Sequence, residues 1–148
     1  MLFRSSTVRD ITSTTRLPAF GSRSTMLTYI QSLLEEQSGG LRTALVIIAD
    51  QRSVGMVTIR HWKFGPSSIG YWVLPPSRGK GVATQAVIAA VCGLINDRQQ
   101  IQAIVDTRNK ASLRVVEHCG FVRDPENDMP GALAFTVGST GLPPQEKP

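Results

Sequence analysis

Between residues 69 and 95 the chain passes from Ile69-Gly70-Tyr71-Trp72-Val73-Leu74, an apolar run of strand type, through Pro75-Pro76-Ser77-Arg78-Gly79-Lys80-Gly81, into an apolar run of helical length from Ala86 to Ile95. This passage constrains the fold more than any other. Two prolines remove consecutive N–H donors, so strand pairing ends there. Gly79 and Gly81 admit backbone conformations closed to other residues and let a ligand approach the main chain. The following helix turns unpaired N–H groups and the positive end of its dipole toward the same point, where Arg78 and Lys80 add full charges. Such a strand–loop–helix passage belongs in an α/β layer and suits a diphosphate.

Three phosphate-binding patterns place glycines before a helix, and spacing separates them. The Walker pattern needs Lys and then Ser or Thr after its second glycine, whereas Gly81 is followed by Val82. The dinucleotide fingerprint is closer, because Gly79-Lys80-Gly81-Val82-Ala83-Thr84 departs only at its last position and Asp106 stands where a ribose-binding acid is expected. Against it, Pro75 to Arg78 intervene between strand and first glycine, and the motif lies mid-chain. A nicotinamide dinucleotide stays the rival ligand.

The third pattern draws on residues well beyond the loop. Val73-Leu74-Pro75-Pro76-Ser77-Arg78-Gly79-Lys80-Gly81-Val82-Ala83 resembles the acetyl-CoA signature of the GNAT superfamily of N-acetyltransferases: a strand, a proline, then Arg-Gly-x-Gly opening a helix. Downstream, Ile101 to Val105 reads as a buried strand. Asp106-Thr107-Arg108-Asn109 leads from it into Lys110-Ala111-Ser112 and onward to Gly120-Phe121, similar to the family's Asn-x-x-Ser helix closing on Gly-Phe. The resemblance covers Ile69 to Arg123. It implies an α/β (α+β) fold with a mixed central sheet of about six strands, mostly antiparallel, splayed at a central strand and flanked by helices.

Composition agrees with one soluble domain, expected over residues 1–140, since 148 residues and 41% hydrophobic content suit a single core. No apolar stretch approaches the ~20 residues of a membrane helix, and Met1-Leu2-Phe3-Arg4 lacks a secretory signal's apolar run, so no membrane role and a cytoplasmic address are expected. Cys92 and Cys119 lie in apolar helical contexts without metal or redox spacing and read as small buried side chains. The net charge of +5 and pI near 9.8 suit an anionic ligand. The basic residues are dispersed, with neither a stripe nor an aromatic platform, so a direct nucleic-acid role is not expected. A monomer or homodimer is compatible with the sequence.

Along the chain, residues 1–24 are polar, with only a weak strand candidate near Leu2 to Ser6. A helix near Thr25 to Gln37 ends at Ser38-Gly39-Gly40. Strands Ala44 to Ala49 and Val54 to Arg60 flank the turn Asp50-Gln51-Arg52-Ser53, and Gly65-Pro66-Ser67-Ser68 precedes the strand from Ile69. The helix Thr84 to Asp97, the strand at Ile101, the helix Asn109 to Cys119 and a strand from Ala132 to Val137 complete the layer. The proline-rich residues 141–148 read as a disordered tail. Family members normally open with an amphipathic strand and one or two helices that wall the acceptor pocket, so residues 1–24 are atypical.

The resemblance implies acetyl-CoA as the cofactor and an acetyl transfer to a primary amine by direct attack in a ternary complex. The acceptor would be a protein N-terminus or a small-molecule amine. Cofactor-binding candidates are Trp72, Val73, Leu74, Arg78, Gly79, Lys80, Gly81, Val82, Ala83, Thr84, Asn109 and Ser112. Pantetheine is peptide-like and can add to a strand edge at Val73 and Leu74, and a backbone N–H near Val73 or Leu74 would also polarise the thioester carbonyl. Many relatives protonate the leaving thiolate with a Tyr whose aligned position here is Val116. In the branch resembling ribosomal-protein N-terminal acetyltransferases a Ser does so, and Ser112 matches it; first-turn helix capping explains Ser112 equally well. No carboxylate matches a base on the central strand, which leaves Glu126, its neighbour Asp128, Tyr71, or a water chain. His61 and His118 are too isolated for a metal site, and none is expected. With the Tyr and the base both missing, a catalytically inactive acyl-CoA-binding module is the alternative.

Overall fold

In the computed structural model of the chain, residues 23–94 and 99–138 are described. The strand candidate near Leu2 to Ser6, the end of the helix expected to reach Asp97 and the tail 141–148 lie outside them. Helix α1 (Arg23–Ser38) is followed by strands β1 (Arg42–Ala49), β2 (Arg52–Arg60) and β3 (Ser67–Val73). Then come helix α2 (Val82–Leu94), strand β4 (Gln100–Asp106), helix α3 (Lys110–His118) and strands β5 (Val122–Arg123) and β6 (Ala132–Gly138). Six strands form one sheet in the order β1-β2-β3-β4-β6-β5. Every neighbouring pair is antiparallel except β3 and β4, which run parallel.

The sequence read the first three strands as a meander, and they form one. Its first turn is tighter than the four residues expected: Ala49 already pairs with Arg52, and Asp50 and Gln51 alone make the bend, with φ of 48° and 60°. Left-handed backbone at both central positions matches the twist of the flanking strands, as two-residue hairpins require. Ser67 and Ser68, read as linker, are the first rungs of β3, pairing with Ile101 and Gln102. The two-residue β5 is too short to leave a periodic signal.

Alternation splits each strand between two faces. Val57 and Ile59 of β2, Ile69 and Val73 of β3, and Ile101, Ala103 and Val105 of β4 are buried with Val87 and Val91 of α2 and Val116 of α3. Each fully buried branched side chain of this kind contributes about 1.5–3 kcal/mol. Helix α3 stops in a Schellman arrangement, with Gly120 N–H on the Glu117 carbonyl at 3.1 Å and Phe121 N–H on the Val116 carbonyl at 3.0 Å. Gly120 has φ of 79°, the left-handed value that makes glycine the residue for this stop. The Gly120-Phe121 expectation is met in its structural sense.

Two local devices are testable. Gly55 lies opposite Val73, and a Cβ there would stand 2.3 Å from the Trp72 carbonyl oxygen and 3.1 Å from the Val73 Cα. Backbone cannot yield as a flexible side chain would, so Gly55→Ala is expected to lose about 2–3 kcal/mol of stability, measurable as a drop in the denaturant midpoint. Asp128 is held by a bidentate pair with Arg123, 2.8 Å on each oxygen, and accepts the Ala134 N–H at 2.7 Å. The Arg123 bonds and then the Ala134 N–H lower its pKa to about 2. A depressed folded pKa gives stability that is present above the unfolded value of about 3.9 and lost as pH falls toward about 2. The stability difference between wild type and Asp128→Asn is therefore expected to be constant above about pH 5 and to vanish near pH 2.

Candidate functional site

The glycine loop is built as a chain of small closures. The Leu74 N–H bonds the Val54 carbonyl at 2.7 Å, a 3-10 turn forms over Pro75–Ser77, and the Arg78 N–H caps it on the Pro75 carbonyl at 3.2 Å. Gly79 and Gly81 follow with φ of 72° and 75°, and the Gln85 N–H closes the first turn of α2 on the Gly81 carbonyl at 3.0 Å. Among the described residues no acceptor stands on the N–H groups of Gly79, Lys80, Gly81, Val82, Ala83 or Thr84. A Cβ built on Gly79 or Gly81 meets no atom within 4 Å. The glycines are thus set by backbone sign, with no described atom crowding the place where a side chain would begin. Six consecutive donors at a helix N-terminus, without a partner among the described residues, suit a multiply charged anion.

Arg78 does not simply extend into that space. Its Nε donates to the Val73 carbonyl at 2.8 Å, folding the side chain back onto the end of β3. Lys80 is exposed.

The sheet opens beside this loop. Parallel pairing of β3 with β4 runs only through Ser67–Ile101, Ser68–Gln102 and Ile69–Ala103, although β3 continues to Val73 and β4 to Asp106. Beyond Ile69 the two strands part. Strand N–H groups alternate in direction, so with Leu74 turned toward β2 the Val73 N–H and carbonyl face the gap. The expectation that either Val73 or Leu74 could offer an N–H is corrected on this point: the Leu74 N–H is consumed by Val54, and Val73 is the one turned to the gap.

A cavity of about 1020 Å³ continues from the gap across the sheet face opposite α2. Thr58, Arg60, Ser68, Gly70, Trp72 and Gln102 line it from alternate strand positions, and Tyr29 of α1 covers it. From the gap side Tyr71, Asn109 and Ser112 also reach it, so the opening joins the two faces. Of the cofactor candidates, Trp72, Asn109 and Ser112 therefore line the cavity, while Arg78 to Thr84 lie apart from it in the glycine loop and the start of α2.

Tyr71, Asn109 and Ser112 are brought together. The Asn109 side chain accepts the Ser112 N–H at 3.1 Å, which makes Asn109 the N-cap of α3. The Tyr71 hydroxyl donates to the Ser112 carbonyl at 3.2 Å. Burial raises the phenol far above its ordinary pKa, against a smaller lowering by the Ser112 side chain. Tyr71 is protonated at neutral pH and holds α3 against β3, which does not suit a base. Glu126 stands exposed in a 3-10 turn over Pro125–Asn127 and is not among the cavity residues, and Asp128 is committed to Arg123. Val116 is fully buried in the core.

The remaining chemistry-bearing residues are accounted for locally. Asp106 takes Arg108 through Nε at 3.0 Å and the terminal nitrogen at 2.7 Å, so the carboxylate considered for a ribose is paired with its neighbour. His61 lies between Thr43 Oγ1, 2.8 Å from Nε2, and Ser67 Oγ, 3.4 Å from Nδ1. His118 bonds the Arg114 carbonyl at 2.6 Å. Burial, and then the neighbouring Cys92, push the Cys119 thiol up to about 11, which keeps it protonated. Among the described residues no three His, Cys, Asp or Glu side chains cluster as metal ligands, and no helix is long and apolar enough to cross a membrane. The basic and aromatic wall of Tyr29, Arg42, Arg60 and Trp62 left no sequence signal, because its members come from three elements and a loop and share no motif.

The model of the acetyltransferase (GNAT) domain family matches residues 4–122. A search of curated proteins returns no match. Among solved structures, Mycobacterium smegmatis RimJ in complex with CoA-disulfide superposes with a TM-score of 0.71 at 24% identity, covering 93% of this chain and 81% of that one. The microcin C7 self-immunity acetyltransferase MccE, in complex with acetyl-CoA and AMP, gives 0.77 at 17%, covering 90% and 81%. Ribosomal-protein-S5-alanine acetyltransferase from Vibrio fischeri gives 0.67 at 18%, covering 97% and 94%. At these identities the structures speak for the fold, and the family match over most of the sequence, together with the glycine cradle and the parted strands, establishes that the chain belongs to the GNAT acetyltransferase family.

Proposed function

We propose that the protein binds acetyl-CoA and transfers its acetyl group directly to a primary amine. The observation that carries this is the juxtaposition of the Gly79–Thr84 donors with the β3–β4 gap into which Val73 turns its N–H and carbonyl. The cradle would hold the diphosphate, and the Val73 edge would pair with the peptide-like arm, which requires Arg78 to release the Val73 carbonyl. Bound there, acetyl-CoA supplies an acyl group already activated as a thioester. The complexes of MccE with acetyl-CoA and of RimJ with CoA-disulfide support the assignment by fold.

The chain's own residues divide the remaining work. The Val73 N–H would stabilise negative charge developing on the carbonyl oxygen. Tyr71 positions Ser112 through the carbonyl bond, and Ser112 Oγ would protonate the departing sulfur. Because Tyr71 is held protonated and Glu126 lies away from the cavity, the amine would lose its proton to water. A protein N-terminus is the favoured acceptor, supported by the fold likeness to ribosomal-protein acetyltransferases, with a small-molecule amine next and a cytoplasmic setting in keeping with both. The buried Val116 and a Glu126 that does not line the cavity favour one alternative, an acyl-CoA-binding module without catalysis.

Two experiments separate these. Release of free thiol from acetyl-CoA is expected with at least one member of a panel of N-terminal peptides and small amines, and Ser112→Ala is expected to lower turnover by roughly 10²-fold with little change in the acetyl-CoA Michaelis constant. Binding of acetyl-CoA without thiol release for any amine would favour the inactive module. Gly81→Val places a branched side chain in the open cradle at positive φ, so calorimetry is expected to show loss of coenzyme A binding in a protein that still folds. Unchanged affinity in the folded variant would remove the cradle from the site.

A further inference from the structure

The cavity wall carries an uneven distribution of charge. Its charged lining residues, among those described, are Arg42, Arg60, Arg108 and Asp106. Asp106 is engaged by Arg108 at 2.7 Å. Glu36 of α1 bonds Arg42 Nε and lies 3.6 Å from a terminal nitrogen of Arg60, beyond hydrogen-bond length. One carboxylate thus faces two guanidiniums and hydrogen-bonds only one of them.

Arg60 is also fixed in place. Its guanidinium stacks 4.8 Å over the Trp62 ring, and the Trp62 indole donates to Ser68 Oγ at 3.2 Å. Ser68 is the register partner of Arg60, one residue before the last β3–β4 pair. The cation therefore stands at the closed end of the gap, on the cavity face, with its side chain 41% exposed against 17% for Arg42. A stacked, planar fork with unspent donors is preorganised for a carboxylate.

We infer that the acceptor carries its own anionic group, a carboxylate held by Arg60, in addition to the amine it presents to the gap. This deepens the proposed acetyl transfer and rests on it. The carboxylate has two sources, the α-carboxylate of a free amino acid or an acidic side chain next to a peptide N-terminus.

The test is calorimetry on the full chain saturated with coenzyme A, so that binding is read without turnover. One pair of titrants is alanine against alaninamide, and the other is Ala-Asp-Ala-amide against Ala-Asn-Ala-amide. In one pair the acid is expected to bind at least about tenfold more tightly than its amide, and that pair identifies the source. Arg60→Gln is expected to bring the acid-to-amide ratio near one, and Arg60→Lys to keep part of it, which separates lost charge from lost fold. Equal binding within both pairs, or a preference that survives Arg60→Gln, would overturn the inference. Failure of the transfer itself is read separately, as absence of thiol release with every acceptor.

Discussion

The parting of β3 from β4 after Ile69 and Ala103 is the constraint on which the rest of the site depends. A parallel ladder satisfies every backbone donor along its length, and ending it early leaves main-chain groups that must find partners elsewhere. On the β2 side the ladder continues to Leu74, whose N–H reaches Val54, so β3 stays anchored while its other edge is released. Pro75 and Pro76 then remove the donors that would otherwise prolong strand pairing. The opened edge is a slot for an extended, peptide-like group, and the helix N-terminus immediately after it is a place for that group's charge.

Arg78 links these two parts. Its side chain bonds the Val73 carbonyl, the acceptor that an incoming amide would need, while its backbone leads into the cradle. Its hydrogen bond keeps the slot's acceptor satisfied until it is exchanged for another donor. On the far side, Tyr71 ties β3 to the first turn of α3 through Ser112, and Asn109 caps that turn. The side chains nearest the gap are therefore held by bonds that also hold the helix, so the proposed catalytic role of Ser112 overlaps with a structural one.

The framework was legible in the sequence because punctuation and periodicity carried it. Prolines and glycines marked where β3 ends and α2 begins, and the helical run ending at Gly120-Phe121 fell where α3 stops. Less local features were hidden. The hairpin turn uses Asp50 and Gln51 at positive φ, where glycine would have announced it, and so appeared longer than it is. Whether Val73 or Leu74 offers its N–H depends on which strand each faces, a matter of register. Gly55 looked like an ordinary strand residue, yet a Cβ there would strike the Trp72 carbonyl. Arg42, Arg60 and Trp62 converge only because β1 and β2 pair and α1 brings Glu36 over them. Glu126 was placed by analogy of position; it lies exposed in the turn at Pro125–Asn127 and is not among the residues that line the cavity.

In the proposed function, cradle and gap form one binding site for a single extended ligand. Amide-resolved NMR of the chain titrated with coenzyme A tests this most directly. The account expects the N–H resonances of Gly79 to Thr84 and of Val73 to shift together along one binding curve, while the Leu74 N–H, already bonded to Val54, stays slow to exchange throughout. Saturable binding that leaves Val73 and the Gly79–Thr84 amides unmoved would contradict it.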